Sequence, residues 1–148
     1  MKEVNYADLQ SLVGQEIGVS DWLEITQERV NQFAEATGDH QWIHVDVERA
    51  TREIGGPIAH GYLTLSLIPF LGAGLLKVNG VTRGINYGSD KVRFTSMVRV
   101  GKRVRMRQKL LACEPKAGRS SHSISMVHSF FSCIPPACVA ETISVVYG

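Results

Sequence analysis

The feature that most constrains the fold is "YLTLSLIPFLGAGLL", Tyr62 to Leu76, a nearly unbroken apolar run in the middle of the chain. Starting at Gly61, it reads as a helix that is apolar on nearly all sides, and such a helix must be buried on nearly all sides. It is shorter than a membrane span and contains Thr64, Ser66, Pro69, Gly72 and Gly74, so protein rather than lipid has to cover it. Pro69 is placed to kink it. The covering material follows in the sequence. "VTRGINYG", "KVRFTSMVRV", "KRVRMRQKLLACE" and "ACVAETISVVYG" are β-branched and alternating, with Gly and Asp between them. A run of antiparallel strands curling around one central helix satisfies both halves of the pattern, an α+β arrangement.

The 148 residues suit one domain spanning 1–148. Ahead of the apolar run, residues 5–13 read as a short helix and "IGVSDWLEI" as extended. Thr26 is an N-cap with Glu28 in the first turn, followed by Val30, Phe33 and Ala34 at helical spacing and by Gly38 as a stop. Residues 46–53 form a second short helix capped by Asp46. In "RVRMRQK", Arg103, Arg105 and Arg107 share one face of a strand, a solvated face, while Val104 and Met106 take the other.

A formal charge of +2 is too small to make nucleic acid the partner, although an anionic small molecule is easily accommodated. "MKEVNYADLQ" is no signal peptide, so neither secretion nor a membrane is expected. Cys113, Cys133 and Cys138 are odd in number and lack C-x-x-C spacing. That fits neither a disulfide framework nor a zinc knuckle, and it suits the reducing cytoplasm.

Two phrases carry chemistry. "ATGDHQWIHVD", Ala36 to Asp46, crowds titratable groups at the point where a helix stops. His40 and His44 stand four apart, as metal ligands do on a helix, but no glutamate accompanies them and Gly38 ends the helix, so no metal site is expected. No G-x-S-x-G elbow offers a nucleophile. Acid–base chemistry remains: Asp39 and His44 can point across a turn into one cleft and share the movement of protons. The residues alone equally allow Asp39 to cap the turn and His44 to fill a hydrogen-bonding gap. The second phrase, "GGPIAHGYLTLS", leads a Gly-Pro loop into the apolar helix, whose first amides lack partners. Gly61 has no side chain to block them, which makes a seat for a developing oxyanion. The plainer alternative is that these glycines serve tight turns.

Asp39-x-x-x-x-His44-Val45-Asp46 followed by Pro57-Ile58-Ala59-His60-Gly61, with "GINYGSDKVRF", "VRVGKRVR" and "PACVAE", resembles the MaoC-like dehydratase family, the (R)-specific enoyl-CoA hydratases. The resemblance covers nearly the whole chain. It implies a hot dog fold, a curved antiparallel sheet wrapped around a long central helix (Gly61 to about Leu76), and a homodimer with sites near the interface. It implies reversible hydration of a trans-2-enoyl-CoA to an (R)-3-hydroxyacyl-CoA. Asp39 and His44 would be the catalytic pair holding the water, and the Gly61 N–H would stabilise the thioester oxygen. His60, Asn86 and Tyr87 are assigned to the substrate. Arg83, Lys91, Arg93 and the arginine row are candidates for the CoA phosphates, with nothing to select among them. His40 and Trp42 are bystanders. No cofactor is implied, since coenzyme A belongs to the substrate.

Residues 115–135 depart from the family pattern, having no acid and six serines where valine- and threonine-rich strands are expected. Divergence and a pair of compensating frameshifts both account for this, and resequencing the coding DNA separates them. Two other functions compete: a hot dog acyl-CoA thioesterase, disfavoured because the central helix carries no acid, and a non-catalytic acyl-binding or nodulation-type member, disfavoured by the intact pair.

Overall fold

The computed structural model describes residues 1–117, 120–132 and 136–148. β1 (Lys2–Asn5) leads through a 3₁₀ helix (Tyr6–Leu12) to β2 (Glu16–Val19) and β3 (Leu23–Glu24). Three helices follow: α1 (Gln27–Thr37), α2 (Trp42–Val45) and α3 (Val47–Ile54). Their boundaries are set locally, as expected. The Arg29 N–H donates to Thr26 Oγ1 at 3.2 Å and the Arg49 N–H to Asp46 Oδ1 at 3.0 Å. Gly38 closes α1 in the left-handed region at φ 80°.

The apolar segment forms α4 (Gly61–Ser66) and α5 (Ile68–Gly72), joined through Leu67. It is thus shorter than the expected span to Leu76, with a one-residue interruption at Leu67 just ahead of Pro69, which has no N–H to donate to the Leu65 carbonyl. It also buries less than expected. Leu63, Leu67, Leu71 and Leu75 form one buried stripe, whereas Tyr62 and Phe70 are 68% and 62% exposed. One curved sheet covers one face of a helix, and the rest of this apolar surface stays open.

β4 (Leu76–Asn79) pairs in parallel with β1. The main sheet is built from β5 (Arg83–Arg93), β6 (Arg103–Pro115), β7 (Ser121–Phe131) and β8 (Pro136–Tyr147). Its order is β2-β6-β7-β8-β5, antiparallel throughout, with β3 on the far end of β6. "KVRFTSMVRV" does not continue as a strand. β5 ends at Arg93, and residues 94–100 form a loop that touches Ile58 through a single bridge at Arg99. The divergent segment nevertheless supplies β7, paired on both sides with Ile124, His128 and Phe130 buried. On β6 the alternation holds: Val104, Met106 and Leu110 are fully buried, while Arg103 and Arg105 lie over the Trp22 ring at 5.7 and 4.7 Å. The thiols of Cys113 and Cys138 are buried and unpaired, and Cys133 lies outside the described residues. Among the described residues no helix is long and apolar enough to cross a membrane.

His128 gives the fold a pH dependence. Burial pushes its imidazole down from 6.5 to about 4. The unfolded ring binds a proton at higher pH than the folded one, so stability from this site is complete above pH 6.5 and is lost as pH falls toward 4. Chemical denaturation at pH 7 and at pH 4 should differ by a His128 contribution of about 3 kcal/mol. His128→Gln should remove most of it.

Candidate active site

The end of α1 delivers the first group. After Gly38 the chain turns, and the Gln41 N–H donates to Asp39 Oδ1 at 3.3 Å, so Asp39 does cap the short turn. Its side chain remains 53% exposed. One turn on, α2 carries His44, which is 7% exposed. The loop before α4 is latched to α2 from both sides: the Ile58 N–H donates to the Ile43 carbonyl at 3.0 Å, and His44 Nδ1 bonds the Ile58 carbonyl at 2.7 Å. A carbonyl oxygen only accepts, so Nδ1 carries the ring's proton and Nε2 is left as a lone-pair acceptor. The Gln27 side chain donates to the His44 carbonyl at 2.8 Å, fixing the backbone from below.

His60, the residue before α4, is 3% exposed. By the same reasoning its Nε2–H donates to the Asp39 carbonyl, at 2.9 Å, and this ties the Asp39 turn to the entrance of α4. The His60 ring stacks on His44 with centroids 3.8 Å apart and planes at 25°, and Phe33 packs against it at 4.9 Å. Nδ1 of His60 is buried without a partner among the described residues.

The chemical atoms of Asp39, His44 and His60 lie within 4.8 Å of one another. This is close enough to consider a metal, but the donor directions disagree. Imidazole lone pairs lie in the ring plane, so two nearly parallel rings send them side by side rather than onto one ion about 2.0–2.1 Å from each nitrogen. One nitrogen of each ring is also committed to a carbonyl. The cluster is better suited to holding a water or a substrate oxygen than a metal ion.

His44 and Gly61 line a common cavity of about 500 Å³, closed by Phe94 and by the loop from Thr95 to Val98. The N–H groups of Gly61 and Tyr62 have no hydrogen-bond acceptor among the described residues. The Phe94 ring stands 2.9–3.0 Å from where a Cβ on Gly61 would be, which explains why the position is glycine. Gly61→Ala should therefore push Phe94 or the helix entrance aside. We expect this overpacking to cost about 1–3 kcal/mol of stability, read from equilibrium urea unfolding.

The structure thus gathers Asp39, His44, His60 and Gly61. Asn86 and Tyr87 line a different cavity, further along α4 and α5, where Leu65, Ile68 and Gly72 continue the helix face that starts at Gly61. His40 meets Glu35 at 3.5 Å on the surface, and Trp42 lies under Arg49 at 4.2 Å. Of the basic candidates, Arg83 covers the Tyr147 ring and Lys91 faces Glu141. Gln27, the Ile58 carbonyl and Phe94 escaped the sequence reading. They reach the site from other elements, and no local spacing marks them.

Comparison with known proteins gives the family and the fold. The MaoC like domain matches residues 8–128. The chain belongs to the MaoC-like dehydratase family. It is 49% identical over 139 residues to 3-hydroxyacyl-thioester dehydratase Z of Mycobacterium tuberculosis, covering 93% of this chain and 92% of that protein. It is 52% identical over 116 residues to Nodulation protein N of Rhizobium meliloti, covering 76% and 72%. Among solved structures, the R-hydratase PhaJ1 from Pseudomonas aeruginosa superposes with a TM-score of 0.70 at 24% identity, over 96% of this chain and 84% of that one. This MaoC-like dehydratase therefore has the hot dog fold, and its family supports hydro-lyase chemistry in general.

Proposed function

We propose that the protein hydrates a trans-2-enoyl-CoA reversibly to the (R)-3-hydroxyacyl-CoA, with Asp39 and His44 as the catalytic pair and no cofactor. The observation that carries this reading is the approach of the Asp39 carboxylate to the His44 ring beside a cavity that also holds the unpartnered Gly61 N–H. A water held between the carboxylate and His44 Nε2 adds its oxygen to C3. It gives its proton to the pair, and the pair returns a proton to C2. As C3 is attacked the thioester oxygen gains enolate charge, which the Gly61 N–H offsets. His60 positions rather than reacts: it braces Asp39 and stacks on His44.

The protein is proposed to work as a homodimer in the cytoplasm. β5 is an edge strand exposed along nearly its whole length, with Ile85 and Tyr87 50% and 71% exposed. Such an edge invites pairing with a second copy, and the exposed Tyr62 and Phe70 are further apolar surface left uncovered in a single copy. Buried unpaired thiols suit a reducing compartment.

Incubation with crotonyl-CoA tests the function. Loss of the enoyl-thioester absorbance without thiol release is expected. Thiol release would point to a thioesterase, and no change with either crotonyl-CoA or longer enoyl-CoAs would refute an enzyme.

A further inference from the structure

The second cavity, of about 730 Å³, has α4 and α5 on one side and β5 to β8 around the rest. Leu65, Ile68 and Pro69 give it the apolar wall that an acyl chain needs. Its floor is different. Gln108 on β6 is 7% exposed, and its Nε2 lies 3.6 Å from where a Cβ on Gly72 would be, directly beneath α5. Its side-chain amide borders the cavity and is not among the polar atoms buried without a partner, so water reaches it through that cavity. Its cross-strand neighbour is His128, whose Nε2 bonds Thr142 Oγ1 at 2.8 Å. Gln108, His128, Thr142 and Ser144 thus run as a polar band across three adjacent strands inside the cavity. Burial keeps His128 uncharged at neutral pH, so the band is polar without offering a counter-ion to an anionic group.

An alkyl chain laid over this floor would displace water from the Gln108 amide and leave both its donor and its acceptor unmet. A neutral oxygen would replace the lost water. We infer that the cavity receives an acyl chain bearing a hydroxyl or oxo group remote from the thioester, recognised by Gln108. This deepens the hydratase reading and rests on it. Leu67 keeps α4 and α5 nearly continuous, so Gly72 lies roughly 16 Å along the axis from Gly61. The oxygen therefore belongs near the far end of a medium-length chain.

The test compares kcat/KM for trans-2-dodecenoyl-CoA and its 12-hydroxy analogue, with crotonyl-CoA as a substrate too short to reach the floor. The hydroxylated chain should be favoured by tenfold or more. Gln108→Met, similar in length but unable to pair with a hydroxyl, should bring that ratio to about one. Hydration of crotonyl-CoA with the plain chain equal or preferred would overturn the inference and leave the hydratase reading standing. A folded Gln108→Met enzyme that kept the wild-type ratio would overturn it too. Hydration of none of the three would remove the reading itself and the inference with it. Should the variant fail to fold, the wild-type ratio still decides.

Discussion

Asp39→Asn and His44→Gln should each lower kcat for enoyl-CoA hydration by about 10²- to 10⁴-fold, the usual range for a lost acid–base group. Asp39→Asn is the cleaner of the two. Asn keeps an oxygen for the Gln41 N–H at the Asp39 cap, and the side chain is half exposed, so stability should change by no more than about 0.5 kcal/mol. His44→Gln keeps a donor for the Ile58 carbonyl but loses the lone pair of Nε2 and the stack on His60. A cost of about 1 kcal/mol is expected there. Circular dichroism melts beside stopped-flow or steady-state assays separate lost chemistry from lost fold. If either folded variant keeps near-wild-type kcat, the pair has been misassigned.

Phe130→Ala should be among the most destabilising single truncations, costing about 3–5 kcal/mol. The ring is fully buried on β7, opposite Met106 on β6 and Cys138 on β8, both also fully buried. Phe130 is held on both sides by paired strands, so most of the cavity would persist. Equilibrium urea unfolding gives the number directly. The result bears on residues 115–135 as well. A loss of this size means that the atypical segment is an integral part of the core, whatever its history. A cost below about 1 kcal/mol would mean that β7 is not packed as described.

How much of this was legible beforehand follows from where each interaction is decided. Caps and stops were readable because Thr26, Asp46 and Gly38 act on backbone within three or four residues. The alternation of Arg103, Arg105 and Arg107 with Val104 and Met106 was readable because a strand has a fixed period of two. That Asp39 and His44 stand close together was readable because one turn of chain joins them. The extent of the apolar helix was misjudged because composition records that a segment is apolar but not which of its faces finds a partner. Leu63, Leu67, Leu71 and Leu75 meet the sheet, while Tyr62 and Phe70 do not. The strand expected over residues 94–100 failed for a similar reason: that loop is held by contacts to Ala59 and Pro57, far away in sequence.

The sequence by itself determined an apolar helix with antiparallel strands to cover it and the two polar phrases, since each depends on local spacing and hydrophobic period; the hot dog class and the proposed acid–base pair came from the family resemblance those phrases carry. Only the tertiary structure decided the state in which those groups stand. The Ile58 carbonyl sets the His44 tautomer, His60 reaches across 21 positions to hold the Asp39 backbone, and Phe94 closes over Gly61. It also decided that Gln108 and His128 lie side by side under Gly72, because strand register, invisible in any single segment, chooses which polar groups share a cavity.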